Sequence, residues 1–209
     1  MSAVRLIWAT PDAEQLIGFM ARVSNPKNQW NPDSSKLIQY LIKNQHWSPF
    51  EMVNVCMEIE TTRDIARQIL RHRSFSFQEF SQRYAEAQGF DVSEVRLQDP
   101  KNRQNSIEVQ DRELSRAWDD YQKDMIRKAD TIYKWALSNG IAKEVARKVL
   151  PEGLTMSRMY MNGTLRSWIH YTDIRCDAST QKEHREVAEQ CRSILVDLFP
   201  NIFSKDHAT

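Results

Sequence analysis

From Met52 to Glu60 the chain alternates between apolar and polar side chains. Val53, Val55, Met57 and Ile59 fall on one side; Asn54, Cys56, Glu58 and Glu60 fall on the other. A period of two predicts a half-buried strand over 52–60. Thr61 or Thr62 can cap a following helix, with Asp64 in its favoured first turn and Ile65, Ile69 and Leu70 packing it. Most other periodic segments are helical. After a short strand over 3–9, Thr10 is the expected cap of a helix with Pro11 at its start and Leu16, Ile17 and Met20 on its stripe. Residues 26–32 read as a loop. Asp33 or Ser34 then caps a helix carrying Leu37, Ile38, Leu41 and Ile42. Leu114, Trp118, Tyr121, Met125, Ala129, Ile132 and Ala136 recur every three or four residues. They predict one long amphipathic helix from Asp111 to Asn139-Gly140, its stripe facing the core. A short helix ends at Leu150-Pro151, a strand is expected over 154–161, and helices over 164–175 and 180–195. Few strands, many helices and no strand–helix alternation predict an α+β fold, one domain over 1–209 with a helical lobe. Residues 89–107 are polar and aperiodic and read as a long excursion that turns at Asp99-Pro100.

The charge balance removes some functions. Lys plus Arg number 29 and Asp plus Glu 28, so the strong positive field that bulk nucleic-acid binding requires is missing. Cys56, Cys176 and Cys191 are too few and too far apart for a disulfide framework or a thiolate cluster. The first ten residues carry no signal-peptide pattern and no run is long enough to span a membrane, so a cytoplasmic location is expected.

Charge is concentrated locally instead. Arg71-His72-Arg73 is followed by Ser76, Glu79, Ser81 and Arg83, interleaved with Phe75, Phe77 and Phe80. Such a segment can form a pocket for a ligand both anionic and aromatic, such as a nucleotide. It can equally be a helix whose basic last turn complements the dipole. The five glycines are scattered, so no phosphate-cradling loop is present and side chains would have to hold a nucleotide. Arg147 and Arg175 are further candidates near helix ends. His46, His72, His170, His184 and His207 show no metal-ligand spacing. Neither Cys56 nor Cys176 has a histidine base beside it in sequence.

The run RHRSFSFQEFSQRY, residues 71–84, resembles the signature of the flavin-dependent thymidylate synthases: RHR, two residues, Ser, four residues, Ser, one residue, Arg. Arg71, His72, Arg73, Ser76, Ser81 and Arg83 fill its fixed positions. His46-Trp47-Ser48-Pro49-Phe50-Glu51, Ala146-Arg147, Leu150-Pro151, Arg166 and Arg175 resemble other segments of that family, so the similarity covers almost the whole chain. The chain resembles the shorter members, including those of large DNA viruses and phages.

The resemblance implies a central antiparallel sheet flanked by helices, and reductive methylation of dUMP to dTMP. Methylenetetrahydrofolate would give the carbon, NADPH would reduce FAD, and tetrahydrofolate would leave. It implies Arg175 as the catalytic residue. The implied dUMP contacts are Gln68, Ile69, Leu70, Arg71, Glu79, Phe80, Ser81, Gln82, Arg83, Arg147 and Arg175. Those for FAD are Ser48, Arg71, His72, Arg73, Glu79, Asn162, Arg166 and His170, with His46 near the folate. No metal, nucleic acid or membrane is implied. The partner is the chain itself, as a homotetramer whose active sites are shared between subunits. Met52 and Ser179 stand where other members carry histidine. Two competing functions are a single-strand nucleic-acid binder, drawn from the Arg and Phe cluster, and a flavin reductase that methylates nothing.

Overall fold

The computed structural model describes residues 2–203; His207 lies outside them. In chain order the elements are β1 (Ala3–Ala9), α1 (Ala13–Ala21), α2 (Ser35–Lys43), β2 (Asn54–Thr62), α3 (Arg63–Ile69), β3 (Ser76–Glu79), β4 (Arg96–Gln98), β5 (Ser106–Glu108), α4 (Arg112–Ser138), α5 (Lys143–Ala146), β6 (Met156–Thr164), α6 (Leu165–Arg175), α7 (Lys182–Leu198) and α8 (Pro200–Phe203). β1, β2, β6 and β3 make one antiparallel sheet in that order, and β4 and β5 a separate hairpin. The expected α+β class, with helices flanking an antiparallel sheet, is what the chain adopts.

β2 departs from the expected half-burial. It lies between β1 and β6, and its polar side is buried as well: Cys56 and Glu58 are 8% and 4% exposed. Glu58 is tolerated there because Arg5 stands opposite it on β1 and donates two hydrogen bonds, of 2.6 and 2.9 Å. Those bonds hold the Glu58 carboxyl below the usual carboxylate range, against the opposing effect of burial. β1 itself carries a bulge between Leu6 and Trp8 that leaves Ile7 without a ladder partner.

Several boundaries also differ. Thr10 does not cap α1. Its hydroxyl accepts from the Asn54 amide at 2.9 Å, tying the end of β1 to β2, while Asp12 begins the helix in the left-handed region at φ 50°. The Ser-rich signature segment supplies β3. Four residues are too few to show a period, and the ladder to β6 is what makes them a strand. The 89–107 excursion is tethered by a Phe90–Thr155 bridge and by the β4–β5 hairpin. Asp99 turns that hairpin by accepting from the Lys101 and Asn102 amides. The short α8 gave no sequence signal.

α4 has the expected extent. Asp111 caps it through the Glu113 and Leu114 amides, and Gly140 follows it at φ 74°. Its stripe is not core, however. Ala129, Tyr133 and Ala136 are buried, but Trp118, Met125 and Ile132 are exposed, Tyr121 by 72% and Trp135 by 60%. The cause is placement: the C-terminal part of α4 packs with α5 and Leu150, while its first half meets the excursion, where the Trp118 indole donates to the Ser93 carbonyl.

The main core lies on the sheet face bearing Val55, Met57, Ile59, Met159 and Met161, under α3, α6 and α7. Trp168 of α6 is fully buried and donates its indole N–H to the Val55 carbonyl at 3.1 Å. Phe75, inside the signature, sets its edge against Trp168 with ring centres 4.9 Å apart. The ring occupies the space above Gly163 of β6, where a Cβ would lie 2.4 Å from Phe75 Cδ1. Among the described residues no helix is long and apolar enough to cross a membrane.

Gly163→Ala should therefore push Phe75 out of its seat and destabilise the fold by about 1–3 kcal/mol. Urea denaturation measures the loss. A Gly163→Ala/Phe75→Leu double variant should lose less than the sum of the two single changes.

Candidate active site

α3 ends by tightening. Arg71 and His72 donate their amides to the carbonyls of Gln68 and Ile69, and Phe75 donates to that of His72. This turn leaves Arg71 and Arg73 exposed and directs His72 inward. The His72 Nε2 accepts from Arg175 Nε–H at 2.9 Å, across 103 residues of chain. Arg175 closes α6, a helix with two working faces. Trp168, Tyr171 and Thr172 on one side are buried; Arg166, Ile169, His170 and Asp173 on the other line a cleft.

The buried side holds two imidazoles. The edge of His72 meets Tyr171 at 4.9 Å between ring centres, and His184 of α7 lies 6.2 Å from His72. His184 is fully buried, with Nε2 3.2 Å from the Tyr171 hydroxyl and Nδ1 3.3 Å from Gln68 Oε1. Burial, then the charge of Arg175, lower His72 to about 4 and His184 to about 3. Both rings are neutral near pH 7, which is what allows His72 to accept from a guanidinium.

The cleft measures about 370 Å³ and is also lined by Trp47, Glu51, Ser74 and Ser167. Arg166 forms an ion pair with Glu51 across it. Burial raises the carboxyl of Asp173 there. Ser48 opens the 3-10 turn Ser48–Glu51, which Phe50 roots in the core. His46 is exposed and stands edge-on to Tyr40. Asn162 is not in this cleft. Alternation along β6 puts it on the opposite sheet face, between Cys56 and Ser76, where its Oδ1 is buried without a partner.

A third group forms where β3 meets β6. The Ser157 hydroxyl donates to Glu79 Oε1 at 2.8 Å, and Arg63 Nη1 stands 3.7 Å from the same oxygen. Burial lowers Arg63, and the charges of Arg67 and Arg147 add to the effect. Beyond it, the Ser81 hydroxyl accepts from the Arg83 amide, and Arg83 pairs with Glu144 of α5 at 3.3 Å. Gln82 is buried with its Nε2 unpartnered, and Phe80 is half-buried. Ile69 and Leu70 turn their side chains to the core, so they can offer a ligand only backbone.

Most of the expected site residues thus fall into three groups within one chain. His72 and Arg175 meet, with Gln68 joined to them through His184; Arg166 and His170 line the cleft, with Ser48 on the turn between Trp47 and Glu51; Glu79, Arg147 and the 80–83 segment lie toward α5. Sequence reasoning missed Arg63, Ser157, Tyr171 and His184. For His184 the signal was available: with Val187, Ala188, Cys191 and Leu195 it keeps the buried period of α7. The three cysteines are free, and burial raises each thiol, the reverse of nucleophile activation.

A family model described as Thymidylate synthase complementing protein matches residues 5–201. A flavin-dependent thymidylate synthase of Synechocystis sp. is 52% identical over 189 residues, covering 90% of this chain and 87% of that protein. A probable flavin-dependent thymidylate synthase of Paramecium bursaria Chlorella virus 1 is 45% identical over 192 residues, 91% of this chain and 88% of that one. Among solved structures, the UMP/dUMP methylase PolB from Streptomyces cacaoi, bound with 5-Br dUMP, superposes with a TM-score of 0.85. The match covers 97% of this chain and 93% of that chain at 27% identity.

The buried imidazoles set a pH dependence. Each binds its proton more weakly folded than unfolded, so acid favours the unfolded chain. Their contribution is whole above pH 6.5 and is lost as pH falls from 6.5 through about 4 for His72 and about 3 for His184. The urea midpoint should drop between pH 7 and pH 5. A His72→Gln/His184→Asn variant should show a shallower drop over the same range.

Proposed function

The chain belongs to the flavin-dependent thymidylate synthase family, and from that premise we propose that it methylates dUMP to dTMP reductively. Methylenetetrahydrofolate donates the carbon, NADPH is the reductant, FAD is the hydride carrier, and tetrahydrofolate is released. A methylene carbon must gain two electrons to become a methyl group, and a folate that leaves as tetrahydrofolate has not provided them. When bound, FAD supplies those electrons as hydride.

The observation that carries this reading is the Arg175–His72 pair. A neutral imidazole takes the Nε–H of Arg175 and leaves the rest of the guanidinium fork for a ligand. A fork fixed in this way can hold a uracil ring and stabilise negative charge that grows on it during methylation. Gln68, Arg71, Glu79, Ser81, Gln82, Arg83 and Arg147 are assigned to dUMP, with the cations serving its phosphate. The raised thiols agree with a mechanism in which no cysteine attacks the ring.

The residues fit a flavin dinucleotide. Arg71 and Arg73 are exposed, with no ion-pair partner among the described residues, and suit a diphosphate. Trp47 and Ile169 give the cleft flat apolar lining, with Arg166 and His170 as its polar groups. The unpartnered Oδ1 of Asn162 is a further acceptor awaiting a donor. Ser48, Arg71, His72, Arg73, Glu79, Asn162, Arg166 and His170 would hold FAD, and His46 would lie near the folate.

Two features support a homotetramer with shared sites. Among the described residues no contact joins the Arg83–Glu144 pair to the Arg175–His72 pair, so a second copy can supply one half of the nucleotide set. The exposed apolar stripe of α4 also needs covering.

The test is product analysis at low oxygen with dUMP, methylenetetrahydrofolate, FAD and NADPH. The expected products are dTMP and tetrahydrofolate. NADPH oxidation without dTMP would identify a flavin reductase; salt-sensitive binding of single-stranded DNA by a colourless protein would identify the nucleic-acid binder. Arg175→Lys keeps the charge but loses the fork, and should lower dTMP turnover by about a hundredfold. Stopped-flow mixing should show reduction of the flavin by NADPH less affected than its reoxidation by dUMP and methylenetetrahydrofolate. A wild-type reoxidation rate in the variant would remove Arg175 from this role.

A further inference from the structure

Resting on that assignment of Gln68 to the nucleotide, we infer that His184 is a positioning residue: it terminates a one-directional hydrogen-bond chain that holds the Gln68 amide with its oxygen inward and an N–H free for dUMP.

The direction of the chain is set from its far end. Glu183 is ionised: burial raises its carboxyl, but hydrogen bonds led by Arg96 Nη2, at 2.6 Å, outweigh that effect. An ionised carboxylate only accepts. The Gln181 group 3.0 Å from Glu183 Oε2 must therefore be its Nε2, which donates. Gln181 then turns Oε1 to Gln68, and Gln68 donates its own Nε2 across 2.7 Å. That leaves Gln68 Oε1 facing His184 Nδ1 at 3.3 Å, so Nδ1 must carry the proton. With Nδ1 protonated in a neutral ring, Nε2 is an acceptor, and the Tyr171 hydroxyl donates to it at 3.2 Å. No amide in the series can flip without setting two donors or two acceptors face to face.

The consequence falls on Gln68. An amide nitrogen carries two N–H groups. One is committed to Gln181, and the other has no partner among the described residues. A glutamine free to rotate could offer a ligand either polarity; this one offers a donor. His184 contributes nothing to the ligand directly. It lies fully buried behind Gln68, and its ring also stands near His72, the acceptor of Arg175. Its depressed proton affinity agrees with the single neutral tautomer the chain requires.

Two measurements test this. Long-range ¹H–¹⁵N NMR on the full chain without ligands should show His184 neutral at pH 7 with its proton on Nδ1. A proton on Nε2, or on both nitrogens, would overturn the chain whatever the enzyme does. The second measurement is steady-state kinetics of the flavin-loaded protein. His184→Leu removes both bonds, His184→Gln keeps a polar group at the Nε2 end, and His184→Asn keeps a donor at the Nδ1 position. His184→Leu and His184→Gln should raise the KM for dUMP about tenfold, as expected for one lost neutral hydrogen bond. Their kcat should change less, and His184→Asn should recover most of the loss in KM. An equal KM across the three variants, or an equal fall in kcat alone, would reduce His184 to packing and sink the inference. A wild-type protein that makes no dTMP would refute the reaction assignment instead, and the NMR result would still decide the chain.

Discussion

Phe75 can sit where it does only because β6 has no side chain at Gly163. From that notch its ring reaches Trp168 and Tyr171, and Trp168 is itself pinned to the β2 backbone through the Val55 carbonyl. The signature segment is thereby fixed to the sheet and α6 by packing, three residues from His72 and two from Arg73. Edge-to-face aromatic contacts have directional preferences, so they constrain the angle at which the segment leaves α3 as well as its depth. The arginines of the signature are exposed. Their common origin on a turn anchored by Phe75 is what gives them a defined place.

The fold was legible wherever a period ran long enough. β2 follows from its alternation, and α6 and α7 lie where helices were expected, while the strand expected over 154–161 runs from Met156 to Thr164. The failures have physical causes. β3 is too short to display alternation and owes its existence to a partner strand 80 residues away. Thr10 was read as a local cap, but its hydroxyl is satisfied by Asn54, far along the chain. α4 displays a stripe that any periodicity argument assigns to a core, yet most of that stripe stays exposed by more than a third. Period reveals which face is apolar; it does not say what covers it.

The site was legible in part, and for a different reason. Arg71, His72, Arg73, Ser81 and Arg83 stood out because charges and hydroxyls crowd one short segment. Arg175 had no such local context beyond its place near a helix end, and its catalytic role came from resemblance; the structure joins it to His72. The period of α7 marks His184 as buried but not as a hydrogen-bonding group, and Tyr171 likewise looks like any other core residue on the buried face of a helix. Two imidazoles beside Arg175 would repel it if protonated. Burial keeps them neutral, and the arginine retains its charge for other work.

The bulge in β1 has a consequence for how copies of this chain can meet. Edge strands expose unpaired amides and carbonyls, a template on which another strand can grow. Here one edge is interrupted at Ile7, and the Val4 amide is already taken by Gln190 of α7 at 3.1 Å. The other edge, β3, is four residues long. Neither offers a continuous ladder, so the sheet resists extension into a larger β-structure. Self-association is thus steered away from open-ended stacking and toward helical surfaces and sheet faces, where contacts depend on side chains and can close on themselves.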